Sequence, residues 1–225
     1  MSTHIQQSTL DFLVKVIQNN NREWFNVNKP TYVEAYEDVK TFGNTLVERM
    51  NEHDKIEKLK QYRIYRDVRF SKNKTPYKST LGGSMIRATK WRRGGYYFHF
   101  EPDNCFIAAG FWNPNSADLA RIRQEIAANP DELREIINDK TFKKYFGELR
   151  GAQLKTSPRG YAKDHPAIDL LRYKQYLVHY RFTDKQVISP NFVDDMVNGF
   201  KAIRPLFNYM SEVLTTDANG TPIES

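Results

Sequence analysis

From Ser8 to Ile17 the apolar residues Leu10, Phe12, Leu13, Val16 and Ile17 recur at three- and four-residue spacing, which predicts an amphipathic helix. The polar run Asn19-Asn20-Asn21 ends it, and Asn21-Arg22-Glu23-Trp24-Phe25 starts a short connecting element. Pro30 suits the first turn of a longer helix, because proline's missing N–H costs nothing there. Tyr32, Tyr36, Val39, Phe42, Leu46 and Met50 share its apolar face, and His53-Asp54 with the charged run to Lys60 closes the unit.

The period then drops to two. Alternation predicts strands over 62–70, 81–88, 95–101 and 105–112, and Pro102-Asp103-Asn104 joins the last two as a β-hairpin. Helical spacing returns at Ser116, with Leu119, Ile122 and Ile126, and again after Pro130, with Leu133, Ile136 and Ile137. The Gly-, Pro-, Ser- and Lys-rich stretch 147–165 reads as a long loop, and Pro166 starts a short helix with Ile168 and Leu171. A fifth strand is expected over 175–182. After Pro190 comes a helix that Pro205 kinks or splits. Helices, then strands, then helices predict an α+β fold: an antiparallel sheet of about five strands packed against helices from 32–52 and 190–214. Residues 1–215 are expected to form one domain, and the polar segment 216–225 a frayed tail.

Composition narrows the class. Of 225 residues, 40% are hydrophobic and 13% aromatic, too many for a disordered chain. A mean hydropathy of -0.70 and the lack of a long apolar run exclude a membrane span. The N-terminus has no basic start followed by an apolar core, so a soluble, cytoplasmic protein is expected. One cysteine, Cys105, excludes an internal disulfide framework. The net charge of +7 is localised: Lys60 to Arg93 holds eleven of the 34 Lys and Arg but only Asp67 of the 27 acids, leaving the remainder net acidic. Such a segment suits an anionic partner, although a merely solvated basic face is the plainer alternative.

The densest polar stretch is Arg63-Ile64-Tyr65-Arg66-Asp67-Val68-Arg69-Phe70-Ser71-Lys72-Asn73-Lys74-Thr75-Pro76-Tyr77-Lys78. Together with Asn21-Arg22-Glu23-Trp24-Phe25 it resembles the hallmark of a bacterial and fungal family, domain of unknown function 2461, over most of the chain. That resemblance implies neither an activity nor catalytic residues. Function is therefore read from side-chain chemistry. Arginine's planar fork takes phosphate or carboxylate with two parallel hydrogen bonds, so Arg66, Arg69 and Lys78 are expected to converge on an oxyanion. Asp67 would orient one guanidinium, with Tyr77, His99 and Arg159 nearby. The competing reading is an internal network in which these arginines pair with acids.

Other chemistry is weaker. Ser71 and Lys74 match the spacing of a serine–lysine nucleophile pair, but the nearby Pro76 argues against the helix that pair needs. Tyr97, His99 and Glu101 share one strand face, and His99 with Glu101 could act as acid/base and orienter, with His179 on the returning strand joining them. A histidine among aromatics is more often a hydrogen-bonded structural residue. No histidine ligand pair suggests a metal, and no phosphate loop or other motif implies a cofactor. Tyr62, Tyr65, Trp91, Tyr96 and Tyr97 interleave with the basic residues, which keeps a nucleic-acid-binding sheet face as an alternative. An interaction protein with an acidic partner is the third.

Overall fold

The computed structural model describes residues 2–217 and 220–223. In chain order the elements are α1 (Gln7–Gln18), α2 (Arg22–Val27), α3 (Lys29–Asn51), β1 (Ile56–Tyr62), β2 (Leu81–Arg87), β3 (Gly95–Phe100) and β4 (Cys105–Phe111). There follow α4 (Ser116–Ala128), α5 (Pro130–Asn138), α6 (Lys140–Phe146), α7 (Ile168–Leu171), β5 (Tyr176–Phe182), α8 (Asp184–Val187), α9 (Phe192–Ala202) and α10 (Arg204–Thr215). The strands form one antiparallel sheet in the order β1-β2-β3-β4-β5, so the α+β class expected from the pattern is the class observed. The β3–β4 hairpin is present: Asn104 N donates to the Glu101 carbonyl (2.9 Å), and Asp103 takes the positive φ (60°) that aspartate tolerates in tight turns. Among the described residues no helix is long and apolar enough to cross a membrane.

The chain divides into two compact units. The first comprises 1–86, 97–107 and 181–198. Its core is aromatic: Phe192 stacks on Phe42 (5.5 Å) and meets Phe182 and Phe100 edgewise or tilted (5.0 and 6.0 Å). The helical face predicted on α3 is the buried one, with Val39, Phe42, Leu46 and Met50 fully enclosed. The second unit comprises 87–96, 108–180 and 199–225. There Phe207 of α10 packs on Tyr96 (5.1 Å) and edgewise on Phe111 (5.8 Å). The chain breaks between α9 and α10 just before Pro205, as the sequence predicts.

One strand lies elsewhere than expected. Residues 63–70 carry no strand, and the first strand is β1, most of it within the charged run to Lys60 that the pattern gives to the close of the helical unit. β1 is an edge strand whose Glu57, Lys58 and Lys60 are exposed, so charge hides its alternation. Downstream, short side chains compete for the backbone: Arg69 N bonds Asp67 Oδ1 (3.2 Å), Asn73 N bonds Ser71 Oγ (3.2 Å) and Thr75 N bonds Asn73 Oδ1 (2.9 Å). Successive local turns of this kind exclude a ladder.

The opposite edge is treated differently. The 147–165 segment lacks helix and strand, but its start runs beside β5. Arg150 and Leu177 exchange backbone hydrogen bonds (2.7 and 2.8 Å), Lys174 N donates to the Ala152 carbonyl, and Gln153 bridges Tyr173. At the C-terminus Thr216 pairs with Pro222 in an antiparallel bridge, while residues 218, 219, 224 and 225 of the expected tail lie outside the described residues.

Candidate functional site

The 63–80 connection is pinned as a narrow two-stranded loop. Tyr65 bridges Tyr77, Arg66 N donates to the Pro76 carbonyl (2.9 Å), Lys78 N donates to the Ile64 carbonyl (2.7 Å), and Ile64 is fully buried beneath them. Asn20, just beyond α1, clasps the loop from the side: its Nδ2 donates to the Tyr77 carbonyl (3.0 Å) and its Oδ1 accepts from Tyr77 N (3.1 Å). Phe25 of α2 stacks on the Tyr77 ring at 3.8 Å and 15°. The two stretches that carry the family resemblance therefore meet at Tyr77. Asn20 escaped the sequence reading as part of a helix terminator, although three asparagines in a row exceed what a terminator needs.

Around this clasp the cations gather. Lys78 Nζ donates to the Arg63 carbonyl (3.1 Å) and lies 5.8 Å from the Tyr62 ring centroid, with Lys60 Nζ 5.6 Å from the same ring. Burial first, then the charges of Arg66 and Arg63, hold the Lys78 ammonium below the usual lysine range. Arg66 reaches the Tyr77 carbonyl through Nη2 (3.5 Å), while its Nε is buried with no hydrogen-bond partner among the described residues. A buried donor without an acceptor is uncommon, and a charged one more so. Arg63 belongs in the group and was overlooked, although it opens the hallmark string.

The remaining expected residues lie in different surroundings. Arg69 and Asp67 pair with each other at the exposed end of the loop, Nε to Oδ1 at 3.0 Å and Nη2 to Oδ2 at 2.7 Å. The guanidinium that Asp67 meets is that of Arg69, away from Arg66 and Lys78. Ser71 Oγ accepts from a backbone N–H and Lys74 Nζ donates to the Val68 carbonyl (2.9 Å), so the two do not act on one another. Arg159 is exposed in the second unit, and His179 is half-buried on β5 in that unit.

His99 is part of a hydrogen-bonded chain on the face of β3 opposite Phe98 and Phe100. The Tyr97 hydroxyl is 2.9 Å from His99 Nδ1, and Nε2 is 3.4 Å from Glu101 Oε2. Glu101 also accepts from Ser79 Oγ (2.6 Å) and Asn104 Nδ2 (2.7 Å), and Phe106 stacks on the imidazole at 4.4 Å. A neutral ring protonated on Nε2 satisfies both neighbours, which leaves no ring nitrogen for a substrate. Burial pushes Tyr97 up to about 12 and lowers His99. For Glu101 burial acts upward, but the donors Ser79, Asn104 and His99 outweigh it and the carboxyl is lowered.

The lowered His99 and Glu101 each make the unfolded chain the better proton binder. Stability should therefore fall as pH drops through the ordinary histidine range near about 6.5, then again through the carboxylate range as Glu101 is protonated. His99→Gln is expected to flatten the first fall in a plot of melting temperature against pH. An unchanged slope in that variant would show that the imidazole is not the group responsible.

No three described His, Cys, Asp or Glu side chains gather as one metal ion requires. What the cluster of Arg63, Arg66 and Lys78 can do is hold an oxyanion, since two forks and an ammonium present donors with no carboxylate among the charges that shift Lys78. Nothing among curated proteins or solved structures matches the chain. Residues 8–209, which include both segments joined at Tyr77, match the family described as conserved hypothetical protein (DUF2461), and the chain belongs to that family.

Proposed function

We propose that the protein binds a small oxyanion, a phosphate or a carboxylate, through Arg66, Lys78 and Arg63, with the Asn20–Tyr77 clasp fixing the loop. The observation that carries this reading is the buried Arg66 Nε, without an acceptor among the described residues, beside a lysine whose charge is opposed by two guanidiniums. Confining like charges costs energy that a bound anion offsets. The reading concerns binding and assigns no reaction.

Calorimetric titration with inorganic phosphate and with a small dicarboxylate provides the test. One of them is expected to bind, and Arg66→Ala or Lys78→Met to weaken it about ten- to a hundredfold, the worth of one charge-assisted hydrogen bond. Lys78→Met should at the same time leave the free protein as stable or more so, because it removes repulsion. An anion favours protonated Lys78, so affinity is full below the folded pKa and falls as pH rises through it, earlier than for an ordinary lysine. Absence of binding by both probes, or binding indifferent to Arg66→Ala, would refute the reading.

One observation favours a second reading. Phe70, 97% exposed, stands beside Arg69 and near Lys72 and Lys74, an arrangement that could stack a base and follow a phosphate backbone. Salt-steep binding of a single-stranded oligonucleotide that Phe70→Ala abolishes and phosphate does not displace would select it.

A further inference from the structure

The second unit contains a cleft of opposite sign to the basic segment. It has a volume of about 560 Å³ and is walled by α4, α5 and α10. Its lining includes Glu125 of α4, Glu132 of α5 and Glu212 of α10, with Ala128 and Val213 supplying apolar surface. Arg121, the one cation among the described residues of its wall, is committed elsewhere: its guanidinium donates to the carbonyls of Val213 (3.0 Å from Nη2) and Thr216, at the C-terminal end of α10. None of the three glutamates has a donor or a cationic partner among the described residues.

A second feature of the cleft is independent of its charge. Tyr209 lines it, is 4% exposed, and carries a buried hydroxyl with no hydrogen-bond partner among the described residues. A buried phenol normally finds one. Burial first, then the charges of Glu125 and Glu132, push its ionisation up, and the Glu132 carboxyl is itself raised by burial and then by Glu212, Glu125 and Glu135. The acids come from three helices and are not gathered into a metal-chelating set. They suit charges spaced along a chain better than a single compact ion.

We infer that this cleft binds a linear organic polycation, an alkyl di- or polyamine, whose ammonium groups are taken by Glu125, Glu132 and Glu212 and whose inner end supplies the partner that the Tyr209 hydroxyl lacks. The methylene stem lies against Ala128 and Val213. The cleft volume is within the range of small-molecule sites.

The test is calorimetric titration of the full chain with putrescine and spermidine, with thermal melting in parallel, and magnesium chloride and sodium chloride as ionic-strength controls. Saturable binding of spermidine is expected. Because Glu132 and Glu212 are exposed, Glu132→Gln/Glu212→Gln should fold normally and lose about five- to tenfold in affinity, as expected for two exposed ion pairs. Tyr209→Phe removes a hydroxyl that bonds none of the described residues, so its melting temperature should hold while amine affinity drops. Equal stabilisation by salts at matched ionic strength, binding untouched by the double variant, or affinity confined to lysine-rich peptides would each overturn the proposal.

Discussion

Alanine at Gly110 is expected to cost about 3–5 kcal/mol, much of the stability of an ordinary domain. Gly110 sits in β4 at φ +138°, a backbone conformation that side chains rarely adopt, and an added Cβ would lie 2.0 Å from the Tyr176 carbonyl oxygen and 2.9 Å from Leu177 Cα. Both obstacles are backbone atoms of the neighbouring strand, so no rotamer change relieves them. Strain and overpacking therefore add. Gly147 is the control: its φ is also positive (69°), but nothing lies within 4 Å of the added carbon, so Gly147→Ala should cost the backbone strain alone, about 1–3 kcal/mol. Urea unfolding of the two variants measures the difference. Equal costs would mean that the close approach of β4 and β5 is not the constraint described.

Phe192→Ala should be comparably damaging, at about 3–5 kcal/mol. The ring is 0% exposed and is surrounded by Phe42, Phe100 and Phe182, so truncation leaves a cavity between groups fixed by helix and strand backbone. Differential scanning calorimetry is the informative measurement because Phe192 belongs to the first unit and Gly110 to the second. If the two units melt as one domain, either substitution lowers a single transition. If they melt separately, each variant lowers a different one. A Phe192→Ala protein within about 1 kcal/mol of the parent would contradict the aromatic core.

What could be read from the sequence followed from local physics. The β3–β4 hairpin was legible because Tyr96, Phe98 and Phe100 alternate with Tyr97 and His99 up to a Pro-Asp-Asn turn. β1 was not, because an edge strand with one solvated side follows no apolar alternation, and the apparent alternation of Ile64, Val68 and Phe70 ends in a ring that is almost wholly exposed. α6 was missed since only Phe142 and Phe146 are buried along it and Asp139 caps it after a very short gap. For the site, the hallmark string pointed to Arg66, Tyr77 and Lys78. Spacing could not say that Asp67 would pair with the guanidinium two residues away, or that Asn20, fifty-seven residues from Tyr77, would clasp its backbone.

The pairing of residues 150–154 with the start of β5 and the residues before it has a consequence for how the chain finds its fold. β4 and β5 are joined through the whole helical stretch 112–175, whereas the covering segment reaches β5 across a connection roughly three- to fourfold shorter, a difference worth about 1 kcal/mol of closure entropy. The shorter closure comes first. β5 thus meets β4 with its start already paired at Leu177 rather than as a wholly lone strand. During synthesis the covering segment also leaves the ribosome before β5, so the strand has a partner from the moment it emerges. A newly made chain therefore has the start of this outer ladder paired as β5 emerges, which leaves less of it open to a neighbouring copy.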